Sequence, residues 1–208
     1  MIQIDHVLFA TTDLAIGEQQ LWRGYGLGSI PGGRHVSWGT ANRIAPLGSQ
    51  YLELVAAENA ELARHSLLGR AVLAAADRDR LTPIGLCLRV DDLAEVETRL
   101  GEPGEPGTRL QADGTEIRWN TVGLGQAFGP TRLPFFIAWE NAAQHPSQAT
   151  GRHRIAPLEI FEVEVGGAES ALRQRLGGDV PGVRVVGGAP GVRSITVRLE
   201  DGSELHLP

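Results

Sequence analysis

The sequence predicts an α+β fold assembled from repeated β-α-β-β-β units. A β-rich segment, a short helix and a set of strands recur three times in the same order. The helix entry Thr12-Asp13-Leu14 is echoed by Asp91-Asp92-Leu93. Glycine fills 27 of 208 positions, about 13% and roughly twice average usage, which favours tight turns between short elements. A repeat of roughly 50 to 60 residues needs a partner unit to bury its sheet, so the units must pack on one another.

In the first unit, two-residue alternation over residues 2–10 puts Ile2, Ile4, His6 and Leu8 on one face of a strand. Thr12 and Asp13 supply caps for a helix over 14–23 that stops near Gly24 and Gly26. Pro31-Gly32-Gly33-Arg34-His35 reads as a turn or loop, and strands over 42–47 and 51–56 flank a Gly48-Ser49 turn. The Ala/Leu-rich stretch 58–80 reads as a helix broken near 66–69. Its Leu62, Leu67, Leu68, Val72 and Leu73 pack on a sheet or a second subunit.

The second unit has a strand over 84–90, a helix over 94–100, a Gly/Pro-rich loop, and strands over 115–122 and 135–140. A polar, proline-containing linker or lid over 141–154 precedes the third. That unit has a strand over 158–165, a helix over 168–176, and strands over 183–186, 194–199 and 204–207. The expected domains are 1–146, with units at about 1–57 and 82–141, and 155–208.

A net charge of −6 argues against nucleic acid and anionic membrane as partners, since both require a concentrated positive field. All 19 basic residues are arginine, which removes lysine Schiff-base chemistry, a lysine base and a nucleotide-binding phosphate loop. The single cysteine, Cys87, forms no intrachain disulfide, reads as a buried inert thiol and suits a reducing cytoplasm. Met1 runs into Ile2-Gln3-Ile4 without a basic lead, and no apolar run approaches a membrane span of about 18 residues.

His6 in Asp5-His6-Val7 and Glu53 in Tyr51-Leu52-Glu53-Leu54 pair an imidazole with a carboxylate on two strands, which is how a divalent-metal site begins. Without a metal, the same pair serves as a general base with its orienting partner, or as a satisfied polar pair. His35 beside Trp38 is a candidate substrate contact. One of Arg118 and Trp119 faces inward, an inward Arg118 being an anchor for a carboxylate or phosphate. Trp139 is core or cleft wall. His65 and His153 read as solvated.

These residues resemble the glyoxalase-like domain family of the vicinal oxygen chelate superfamily. The matching stretches are Ile4-Asp5-His6-Val7, Pro31-Gly32-Gly33-Arg34-His35, Trp38-Gly39-Thr40-Ala41-Asn42-Arg43 and Tyr51-Leu52-Glu53-Leu54. Asp113-Gly114-Thr115-Glu116-Ile117-Arg118-Trp119, Leu133-Pro134-Phe135-Phe136-Ile137, Trp139 and His145-Pro146 complete them. The resemblance implies two modules curled into an open glyoxalase-like barrel around a cleft, with a third β-α-β-β-β-like unit appended or forming a dimer. It places metal ligands at His6 and Glu53, for one divalent ion (Zn, Ni, Mn or Fe) chelating a small oxygen-rich substrate. The implied activity is that of a lyase, isomerase or ring-cleaving oxygenase, with His35, Trp38, Arg118 and Trp139 holding the substrate. The alternative is a non-catalytic protein of the drug-sequestering type that binds an aromatic or anionic small molecule.

Aligning Asp13-Leu14 with Asp92-Leu93 sets Gly85 opposite His6, so the second module supplies no first-strand ligand. Leu205-His206-Leu207 mirrors Leu52-Glu53-Leu54 and makes His206 a further candidate ligand.

Overall fold

The computed structural model describes residues 1–208. The first module runs β1 (Gln3–Ala10), α1 (Leu14–Tyr25), β2 (Ile30–His35), β3 (Thr40–Leu47) and β4 (Gln50–Ala57). Asp13 Oδ1 accepts from the amides of Ala15 and Ile16 to start α1, and Gly26 ends it in the left-handed region. The helices α2 (Ala60–His65) and α3 (Leu67–Ala75) meet at Ser66, whose hydroxyl caps α3 by accepting from the Gly69 amide. The second module runs β5 (Thr82–Arg89), α4 (Ala94–Leu100), β6 (Glu105–Leu110), β7 (Glu116–Val122), the single turn α5 (Leu124–Ala127) and β8 (Phe135–Trp139).

The eight strands form one barrel in the order β1-β4-β3-β2-β6-β7-β8-β5. The first strand of each module pairs in parallel with its last, and β1 and β5 run antiparallel at the junction. At that junction His6 sits opposite Cys87 and Leu8 opposite Gly85. With the helix entries Asp13 and Asp92 superposed, module exchange maps His6 onto Gly85 and Leu8 onto Cys87, and the β1/β5 register accommodates this. The barrel is closed rather than open, though at its far seam β2 and β6 share only the pair Arg34 and Leu110.

Two expected loops are strands. The Pro31–His35 stretch lies in β2, whose register shifts between Pro31 and Gly33, and the Gly/Pro-rich segment after Leu100 contains β6. Both are seam strands, where pairing is sparse and proline and glycine are tolerated, so their composition hides them.

The third unit comprises β9 (Pro157–Gly166), α6 (Glu169–Leu176), β10 (Val183–Val186), β11 (Gly191–Leu199) and β12 (Glu204–Leu207). Its element order is β-α-β-β-β, but its sheet order is β10-β9-β11-β12. β9 pairs in parallel with β10, the strand that follows the helix, and β12 lies at the edge beside β11. The mirror between Leu205-His206-Leu207 and Leu52-Glu53-Leu54 therefore fails, because β12 never reaches the first strand of its unit.

Two cores result. The larger joins the outward residues Val7, Phe9, Leu52, Leu54, Leu86, Leu88 and Phe136 of the barrel to Ile160, Val163, Leu172, Ile195 and Val197 of the small sheet and α6. Arg175 pins this junction, donating through Nε to Pro134 O (2.8 Å), through Nη2 to Gly123 O (2.9 Å) and through Nη1 to Glu102 Oε1 (3.0 Å). The smaller core, with Leu8, Leu68, Ile117, Trp119 and Phe135, lines the barrel interior and leaves it partly unfilled. No helix is long and apolar enough to cross a membrane.

Candidate functional site

The barrel interior holds a small cavity of about 40 Å³ that opens in part to solvent. His6, Leu8, Tyr51 and Glu53 from β1 and β4 line one side. His35, Trp38, Asn42 and Arg109 lie toward the β2/β6 seam, and Trp119, Phe128, Phe135 and Trp139 form aromatic walls. The indole rings of Trp119 and Trp139 lie 5.4 Å apart.

A β-bulge at Asp5 builds the polar end. The β1/β5 register shifts between Ile4 and His6, so Ile4 turns outward into the larger core and does not share a face with His6 and Leu8. Asp5 is fully buried and accepts three hydrogen bonds. Its Oδ1 takes one from His6 Nδ1 at 2.6 Å, and its Oδ2 takes one from Trp139 Nε1 at 3.1 Å and one from His145 Nε2 at 2.9 Å. The Ser147 amide donates to His145 Nδ1 at 3.2 Å, and Arg89 Nη1 lies 3.0 Å from His145 Nε2 and 3.8 Å from Asp5 Oδ2. Burial alone would raise Asp5, but the hydrogen bonds from His145 and His6 hold it well below the usual carboxylate range.

With Nδ1 fixed by Asp5, His6 directs Nε2 toward Glu53 Oε2 at 3.2 Å and stacks on the Tyr51 ring at 4.4 Å. Burial would lower His6; the adjacent Cys87 sulfur, Asp5 and Glu53 reverse the sign and carry it well above an ordinary imidazole. Glu53 Oε1 accepts from Asn42 Nδ2 at 2.5 Å, and Asn42 Oδ1 accepts from the Gly33 amide at 2.8 Å. Against the cost of burial, the His6 contact and then Asn42 bring Glu53 down to about 2. Both carboxylate oxygens of Glu53 and both ring nitrogens of His6 are therefore engaged.

His35 is buried, with Nδ1 on Thr40 Oγ1 at 3.0 Å and Nε2 3.9 Å from Glu53 Oε1, beyond a hydrogen bond. Burial first, then the Arg109 and His6 charges, outweigh Glu53 and lower it to about 4, so it is neutral.

Of the residues the sequence nominates, His6, Glu53, His35, Trp38 and Trp139 all face this cavity, and two do not. Arg118 points outward to Glu116 at 2.6 Å, because the β7 alternation buries its neighbours Ile117 and Trp119. His206 is exposed on β12 of the other sheet, 3.1 Å from Thr196 Oγ1. The basic residue that lines the cavity is Arg109, hidden in what reads as a loop. Asp5 escapes alternation through its bulge, and His145 lies in a segment that reads as linker or lid. His153, expected to be solvated, is half-buried and accepts from the Gly28 amide at 3.1 Å.

The residues do not fit a metal site built from both modules. Leu8 pairs with Glu53 across β1/β4 as Cys87 pairs with Phe135 across β5/β8, so module exchange sets Phe135 against Glu53 and Gly85 against His6. The second module thus offers a phenyl ring and no side chain where the first offers two donors. Ligand atoms of Asp5, His6 and Cys87 do lie within 4.8 Å of one another. That trio is already engaged, since N–H donors occupy both Asp5 oxygens, His6 Nδ1 is turned to Asp5, and burial pushes the Cys87 thiol up to about 12.

The glyoxalase-like domain family profile matches residues 4–177. The chain belongs to the glyoxalase-like domain family. Its fold is shared with a hypothetical protein from Staphylococcus aureus at 16% identity and a TM-score of 0.73, covering 100% of this chain and 99% of that one. The small third sheet therefore recurs together with the barrel. A methylmalonyl-CoA epimerase of Streptomyces coelicolor aligns at 16% identity and a TM-score of 0.49, over 67% of this chain and 96% of its own. Curated proteins give no match.

Proposed function

We propose that this glyoxalase-like protein binds a small, largely planar, oxygen-rich molecule in the barrel cavity without a metal ion supplied by both modules. The observation that supports this best is the state of the His6–Glu53 pair. A general base works best with a pKa near the working pH, whereas Glu53 is held near 2 with both oxygens engaged. It is a fixed hydrogen-bond acceptor for a ligand hydroxyl or amine, and the aromatic walls supply stacking area.

A second reading is favoured by the Asp5–His6 contact at 2.6 Å, which orients the imidazole and points its Nε2 proton toward Glu53, as in an acid–base pair. In that reading His6 and Glu53 exchange one proton with a substrate, as in a lyase or isomerase.

Elemental analysis and a thermal-shift screen of small aromatic and oxygen-rich compounds, both on protein made without a polyhistidine tag, test the proposal. Binding reads as tight association with planar ligands, weakened at least tenfold by Glu53→Gln, with less than about 0.1 equivalent of transition metal. Stoichiometric metal lost on His6→Ala and on Glu53→Ala would overturn it.

A further inference from the structure

Two arginines are buried in this molecule, and they are treated differently. Arg175, 3% exposed, has an acceptor for each of its three guanidinium nitrogens. Arg109, 5% exposed, lines the cavity, and its buried Nε has no acceptor. Glu53, the carboxylate of the same cavity, forms no ion pair with it, its contacts being His6, Asn42 and, at 3.9 Å, His35. An arginine stays charged under all conditions a protein meets, so a buried guanidinium without a counter-ion is costly.

The fold makes room for this residue. A Cβ placed on Gly33 would stand 2.7 Å from Arg109 Cγ and 3.0 Å from its Cδ, closer than side chains tolerate. Its neighbour does the same for the acceptor end, since a Cβ on Gly32 would fall 2.0 Å from Asn42 Oδ1. The Gly32-Gly33 pair thus clears space for two side chains of the site rather than offering amides to a phosphate.

We infer that Arg109 is the anchor for a monoanionic carboxylate on a planar ligand, which enters with its acid group toward β6 and its hydrogen-bond donors toward Glu53. The inference rests on the binding reading above and adds the ligand's charge and orientation. The guanidinium fork matches a carboxylate with two parallel hydrogen bonds. A single charge is favoured over a phosphate dianion because Arg109 is the one uncommitted cation of the lining: His35 is neutral and His6 is held between Asp5 and Glu53. Trp38, Trp119 and Trp139 suit a flat body behind the acid group.

The test compares benzoate and naphthoate with their primary amides, and with inorganic phosphate, by calorimetry on the wild-type protein and on Arg109→Met. On the wild type each acid should bind at least about 30-fold more tightly than its amide, and phosphate should not compete. On Arg109→Met the acids should fall to the level of the amides, while amide affinity changes less than about threefold. Ligand-free Arg109→Met should also melt above the wild type, because it removes an uncompensated buried charge and keeps the packing volume.

Equal binding of acid and amide to the wild type would overturn the carboxylate anchor and leave the cavity reading standing. Competition by phosphate would overturn the choice of a monoanion. Failure of every acid and amide to bind at millimolar concentration would overturn both the anchor and the cavity reading.

Discussion

Acidification offers a quantitative test of the buried site through His35. In the folded protein this imidazole titrates at about 4, against about 6.5 when the chain is unfolded and solvated. The folded state thus binds fewer protons than the unfolded state between those values. The sign follows: the contribution is present in full above pH 6.5 and is lost as pH falls through 4. The gap of about 2.5 pH units, at about 1.4 kcal/mol each, corresponds to about 3.5 kcal/mol, most of it lost by pH 4.5.

The window from pH 7.5 to 4.5 lies well above the folded-state values of Asp5 and Glu53. His6, raised in the fold, contributes with the opposite sign in both proteins, so the difference between wild type and variant reads His35. His153, half-buried and also lowered by burial, acts with the same sign. Urea denaturation across this window should show the wild type losing about 2.5 kcal/mol more than His35→Gln, which has no proton to gain. The difference should appear in the midpoint with little change in the denaturant slope. Parallel pH profiles for the two proteins would refute the burial and neutrality assigned to His35.

Two further substitutions probe the frame around the site. Asp5→Asn removes the charge that three N–H donors converge on and should cost about 3–5 kcal/mol, read by chemical denaturation. It should also lower the His6 titration point, read by NMR of the imidazole protons. Arg175→Leu leaves Pro134 O and Gly123 O without donors at the barrel–sheet junction and should cost about 2–4 kcal/mol. It should leave ligand affinity within about twofold, because Arg175 is no part of the cavity lining.

The repeat of elements, the placement of His6 and Glu53 on first and last strands, and the replacement of His6 by Gly85 in the second module are all legible in the sequence. They depend on local patterning: alternation, helix caps and the spacing of one unit carried onto the next. The inward or outward choice between Arg118 and Trp119 is not local. It depends on which face of β7 meets the barrel interior, and a strand's period of two leaves both faces open until its neighbours are known.

The seam strands β2 and β6 carry glycine and proline because they pair weakly, which is the composition of a loop. That disguise hid Arg109. The bulge at Asp5 breaks the alternation that would separate it from His6, and long-range closure brings His145 and Trp139 onto Asp5 from 140 and 134 residues away. The third unit shows the same limit, since its element order is written in the chain while the pairing of β9 with β10 and β11 is a choice among strands. By itself the sequence determined the kinds of element, their order and half of the polar site. Only the tertiary structure decided which strands are neighbours, and hence that a buried arginine whose Nε lacks an acceptor lines the same cavity as a pinned carboxylate.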